Sequence, residues 1–98
     1  MPQTLTMLQK VKLALRISST SFDSQINDLI DAAILDLTKF ADIKTFTTTT
    51  ADAMQLNAVI AYVSYNWFKD EKYLDAYNNL KMQMSTSSAY RPEVVPDV

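Results

Sequence analysis

Few side chains in this sequence are able to make or break bonds. Among its 98 residues there is no cysteine, no histidine and no glycine. Disulfides, thiol chemistry, zinc centres of the usual Cys/His kind and Ser-His or Cys-His nucleophile pairs are therefore excluded. Phosphate loops and dinucleotide turns are excluded too, since each needs glycine where the backbone approaches its ligand. Carboxylates, hydroxyls and lysines remain. Paired carboxylates do acid–base work when burial pushes one of them up in pKa, yet none of the 11 Asp and Glu residues falls in a pair on an apolar stripe. We expect no catalysis, no metal and no cofactor. One hydroxyl does stand in a suggestive place. Ser24 follows Asp23 at the start of an amphipathic run, where an acyl or peptidyl carrier would attach phosphopantetheine. The carrier motif also has Gly before the Asp and an apolar residue after the Ser; here those positions hold Ser21 or Phe22 and Gln25.

The elements that hold these residues read as helices. With 48% hydrophobic residues the chain can fill one small core, and its periods are helical throughout, so the expected class is all-α with about four helices. The first runs from about Leu5 to Ile17, with Leu5, Leu8, Val11 and Leu15 on one stripe and Thr6 and Gln9 spaced for a capping box. The Ser18-Ser19-Thr20-Ser21 tract ends it, because hydroxyls compete for backbone hydrogen bonds. Asp23 is the expected N-cap of the second helix, which stripes Ile26, Leu29, Ile30, Ala33, Leu37 and Phe40 and ends near Asp42. From Ile43 to Thr50 the chain is β-branched and polar, a loop in which Phe46 folds back on the core and Thr49 or Thr50 caps the next helix.

That third helix, about Ala51 to Lys69, is apolar nearly all round and belongs in the centre of the bundle. The fourth, about Glu71 to Met84, stripes Tyr73, Tyr77, Leu80 and Met84. No Gly or Pro separates it from the third, so a break at Asp70 and one continuous helix both fit. Residues 1–84 form the helical domain, and residues 85–98 read as an arm. Pro92 and Pro96 force extended geometry on the residues before them.

Charge and hydropathy narrow the partners. Met1 to Gln9 lacks a basic start and a continuous apolar run, so no signal peptide is expected. The charge-free stretch Ala53–Phe68 is shorter than the ~20 apolar residues of a membrane span. Acids outnumber bases, 11 to 9, which argues against gripping duplex DNA. A helix-turn-helix regulator would suit the Ser18–Ser21 turn, but the following helix carries Asp23, Asp28, Asp31 and Asp36, which repel phosphate.

The order of these patterns carries a resemblance. Leu8-Gln-Lys-Val-Lys-Leu-Ala-Leu-Arg-Ile-Ser, a Ser-rich turn, then Asp23 and Ile26-Asn-Asp-Leu-Ile-Asp-Ala-Ala-Ile-Leu-Asp-Leu are similar to the head–tail connector family of tailed bacteriophages. In that family a helix of "Leu-Arg-Ile" flavour leads through an acidic turn to a "Leu-Ile-x-Ala-Ala" helix, a Thr-containing loop and an aromatic-ended third helix. Ala58-Val-Ile-Ala-Tyr-Val-Ser-Tyr-Asn-Trp-Phe takes that last place, and the likeness spans roughly Leu5 to Leu80. Three positions depart from the pattern: Phe40-Ala41-Asp42 where the family has Gly, Thr50-Ala51 where it has Pro, and Trp67 and Lys69 where it has Tyr and Arg. The resemblance implies a structural protein of the virion, assembled in the bacterial host cytoplasm. It implies a dodecameric ring of the chain with itself beneath the portal protein. The ring extends a channel that DNA crosses without sequence recognition, and it meets a stopper or tail-completion protein below.

A ring needs two different patches on each subunit. On the first helix Leu13 and Ile17 lie off the core stripe beside Lys10 and Arg16. On the second, Leu35 points away from the core, one turn from Asp31 and Lys39 and two from Asp28, a mainly acidic border. Residues 1–20 carry three bases and no acid, whereas residues 21–42 carry five aspartates and one lysine. Apart from Lys39, these seven residues are the expected subunit interface. Tyr90, Arg91, Val94 and Val95 are the expected partner-docking arm, loose on its own subunit because ordering ten residues costs about 1–2 kcal/mol each.

Overall fold

A computed structural model describes residues 5–41, 43–87 and 89–90. Helix α1 spans Met7–Leu15, shorter at both ends than expected. The capping box forms as read: the Gln9 backbone N–H donates to Thr6 Oγ1 at 3.2 Å and the Thr6 N–H to Gln9 Oε1 at 2.9 Å. Leu5 therefore lies before the cap, exposed, and Met7 takes its place in the core. The helix stops at Arg16 rather than at the serines. Arg16 adopts the left-handed conformation at φ 60, and the Ile17 N–H returns to the Lys12 carbonyl at 2.9 Å. This is the closure that glycine usually provides.

Helix α2 spans Asp23–Leu35. Phe22, not Asp23, is its N-cap; Asp23 enters the first turn, where the helix dipole favours a carboxylate. Its buried face is Ile26, Ile30 and Ala33, with Leu29 half-buried. The regular helix ends earlier than expected, because Asp36–Phe40 forms a π-helical turn. Thr38 Oγ1 donates back to the Ile34 carbonyl at 2.8 Å, a bond that bends helices, and the Ala41 N–H reaches five residues back to Asp36 at 3.0 Å. The widened turn still drives Leu37 into the core, fully buried.

Ile43 and Phe46 are buried and pin the following loop to the core, and the Phe46 expectation holds. Thr45 between them and Thr47–Thr50 after them are turned to solvent. The Thr47 N–H donates to Thr50 Oγ1 at 2.8 Å, so Thr50 is occupied in the turn. Asp52 caps α3 instead, in a second capping box with Gln55. Neither Thr49 nor Thr50 does. Such a cap stabilises by about 1 kcal/mol.

Helix α3 spans Ala53–Phe68 and touches α1, α2 and α4, the central place its composition requires. Val59 and Val63 are fully buried, and so are the polar Gln55 and Ser64. Lys69 closes α3 in the left-handed conformation at φ 58. Asp70 then caps α4, accepting from the Lys72 N–H at 3.1 Å. The two helices are therefore separate. Helix α4 spans Glu71–Thr86, two residues past the expected Met84, and buries Tyr77 and Met84 against α3.

Candidate functional site

Both proposed apolar spots are open. Leu13 is 65% exposed on α1 and Leu35 is 51% exposed on α2. Lys10 and Arg16 beside the first, and Asp28 and Asp31 beside the second, are exposed as well. Ile17 differs: it is half-buried against the core, so less of it remains for a partner. Lys12 is committed within the subunit. Its ammonium lies 2.7 Å from the Asp23 carboxylate and ties α1 to the first turn of α2. Ser24 stands exposed in that turn.

Tyr90 departs from the loose arm expected. Its carbonyl accepts from the Lys44 N–H at 2.7 Å, and the Lys44 ammonium sits 5.9 Å from its ring centroid. The nearby Asp52 carboxylate, more than burial, raises the Tyr90 pKa. Burial acts to raise Asp52 as well, but the Gln55 N–H, the Tyr90 hydroxyl, the Met54 N–H and Lys44 outweigh it and hold Asp52 below its ordinary value. Tyr90 is held individually, close behind the end of α4, so its ordering does not require that of the whole arm. It packs on the core edge near Met54 and Leu80. Arg91, Val94 and Val95 lie outside the described residues.

Two clusters escaped the sequence reading. In the first, the Tyr77 hydroxyl donates to Asp36 in the π-turn, and Lys81 reaches the same carboxylate oxygen at 3.4 Å. Burial first, and Asp36 second, push the Tyr77 pKa far above its ordinary value. The three residues border a cleft of about 250 Å³ with Tyr62, Tyr65 and Asn66. Helical period placed Tyr77 on the core stripe but could not name a partner 41 residues away.

The second cluster lies where the ends of α2, α3 and α4 meet. Phe22 packs edge-on to Trp67 with centroids 5.4 Å apart, and Phe68 stacks on Tyr73 at 5.7 Å. Phe22 is 44% and Phe68 48% exposed. The signal was present in sequence as a phenylalanine beside a serine-rich turn and two adjacent aromatics at the end of a helix.

Among the described residues no three His, Cys, Asp or Glu side chains gather into a possible metal site. None of the described helices is long and apolar enough to cross a membrane. No curated protein and no solved structure matched the chain. A family model described as "Phage gp6-like head-tail connector protein" matches residues 5–94. That range takes in all four helices and the Tyr90 contact, and it leaves the carrier and helix-turn-helix readings without support. The chain belongs to the phage gp6-like head–tail connector family, a structural family of the virion.

Proposed function

We propose that copies of this chain form a ring, dodecameric as the family resemblance implies, seated beneath the portal protein at the head–tail junction. The ring extends the DNA channel, passes DNA without reading its sequence, and offers its lower surface to a stopper or tail-completion protein. It works by recognition and makes no bonds. Assembly takes place in the host cytoplasm, and the product is part of the virion.

The observation that carries this reading is the pair of open leucines with opposite borders: Leu13 among Lys10 and Arg16, Leu35 among Asp28 and Asp31. A heterologous contact brings two such unlike patches together. Each leucine, fully buried, contributes roughly 1.5–3 kcal/mol, while exposed ion pairs add only ~0–1 kcal/mol each and so set register more than affinity. One contact of that size is weak, which suits a ring that closes only on its portal. The Thr47–Thr50 turn, uncharged and solvent-facing, suits a channel wall along which DNA slides.

The test is double charge reversal, Asp28→Lys with Asp31→Lys, followed by electron microscopy of the protein mixed with portal. Rings should disappear while helical circular dichroism stays unchanged. Rings that persist would exclude this face as the interface.

A further inference from the structure

The apolar spot on α1 has a shape as well as a border. Leu5, Gln9, Lys12, Leu13, Ile17 and Ser18 enclose an open groove of about 270 Å³ along one flank of the helix. Leu13 stands exposed in it, and Leu35 stands exposed on α2. Both sit on regular helices of one folded subunit, so a subunit's own Leu35 does not fill its own groove. Building on the reading that copies meet through these two faces, we infer that Leu35 of a neighbouring copy seats in this groove with its α2 running antiparallel to α1.

Charge selects the occupant and its direction. Arg16 stands exposed at the end of the groove that Ile17 and Ser18 close, and among the described residues it has no acidic partner. Lys12 is already neutralised by Asp23. Lys10 borders a separate cleft on the other flank of α1, with Thr48, Thr49 and Leu56. The opposite end of the groove, at Leu5 and Gln9, is uncharged, so its free positive charge lies at one end. The face around Leu35 is one-sided too. Asp31 and Asp28 lie about 6 and 10.5 Å before Leu35 along α2, and Lys39 follows it in the π-turn. With Leu35 beside Leu13, an antiparallel α2 carries Asp31 to Arg16, which lies about 4.5 Å beyond Leu13, and leaves Lys39 over Leu5 and Gln9. A parallel α2 would set Lys39 against Arg16 and both aspartates over the uncharged end, and like charges in contact suppress a pairing. The contact joins unlike faces, as ring growth requires.

The test exchanges the charges in full-length protein and looks for rings on the portal by electron microscopy. Asp31→Arg alone should abolish rings. Adding Arg16→Asp to the same chain should restore them, because every contact regains an opposite pair; adding Lys10→Asp instead should not. Aspartate tolerates a left-handed corner, and circular dichroism checks that each variant stays helical. The chain has no cysteine, so placed thiols report direction independently. With a short bismaleimide on portal-bound protein, chains carrying Lys39→Cys should link to chains carrying Leu5→Cys and not to chains carrying Ser18→Cys. Intact rings in which position 39 links to position 18, or to both alike, would overturn the inference and leave the ring standing. So would rings that survive Asp31→Arg, or rescue by Lys10→Asp. If the unaltered protein forms no ring on its portal, the ring reading fails and this one falls with it.

Discussion

Replacing Tyr77 by Phe removes one oxygen from the interior and tests how the π-turn is held. The ring is 3% exposed, and its packing against Tyr62, centroids 5.3 Å apart, survives the change. What is lost is the hydroxyl that donates to Asp36. A hydrogen bond to a charged acceptor contributes ~1.5–3 kcal/mol, and because Asp36 is partly open to water the loss should sit near the lower end, ~1.5 kcal/mol. In a domain of this size that is a fall of about 6–12 °C in Tm. Urea titration followed through Trp67, the single tryptophan, measures it directly. The same variant carries a pH signature. Burial and Asp36 raise the Tyr77 pKa, so above pH ~10 the unfolded chain loses a phenolic proton that the native state retains. Native protein then binds more protons than unfolded protein, and stability must fall as pH rises, by up to about 1.4 kcal/mol per unit from this one group. Below pH ~10 its contribution is fully present. Tyr77→Phe should flatten that alkaline decline. A variant within ~0.5 kcal/mol of the parent at neutral pH, with the alkaline slope intact, would refute the reasoning.

Two further changes test the corners. Asp52→Ala breaks the α3 capping box and removes the Tyr90 partner, so stability should drop by about 1–2 kcal/mol. Asp52 titrates below its ordinary value, so the parent should lose stability as pH falls below ~4 and the variant should lose less there, as read by denaturant titration across that range. Lys69→Gly relieves a left-handed lysine and should stabilise by about 0.5–1 kcal/mol after the added freedom of the unfolded chain is counted; a lower Tm would show that Lys69 makes contacts worth more than its backbone strain.

Much of the architecture was legible because apolar spacing is a local signal. Val11, Ile26, Ile30, Leu37, Val63 and Met84 all occupy the core that their periods assigned them. Thr6 capped α1 as its spacing with Gln9 required. Boundaries were harder because they depend on single dihedral angles. Arg16 and Lys69 close their helices in a conformation their side chains do not advertise, and Thr38 reshapes the end of α2 through one hydrogen bond to its own helix. Asp52 won the α3 cap because Thr50 was already engaged by Thr47. Of the proposed interface, exposure of Leu13 and Leu35 followed from the helical wheel. The anchoring of Tyr90 did not, since it depends on Lys44 and Asp52, which are distant in sequence and near only in the fold.

The left-handed corners at Arg16 and Lys69 close the first and third helices. Each places a cation just past a helix C-terminus, where the dipole welcomes positive charge, at a position glycine would fill with less backbone strain. Each cation is therefore held at a backbone cost of about 1–2 kcal/mol that glycine would not incur. A glycine at both sites should yield a sturdier subunit that is poorer company for its neighbours, separating the demands of the fold from those of the assembly.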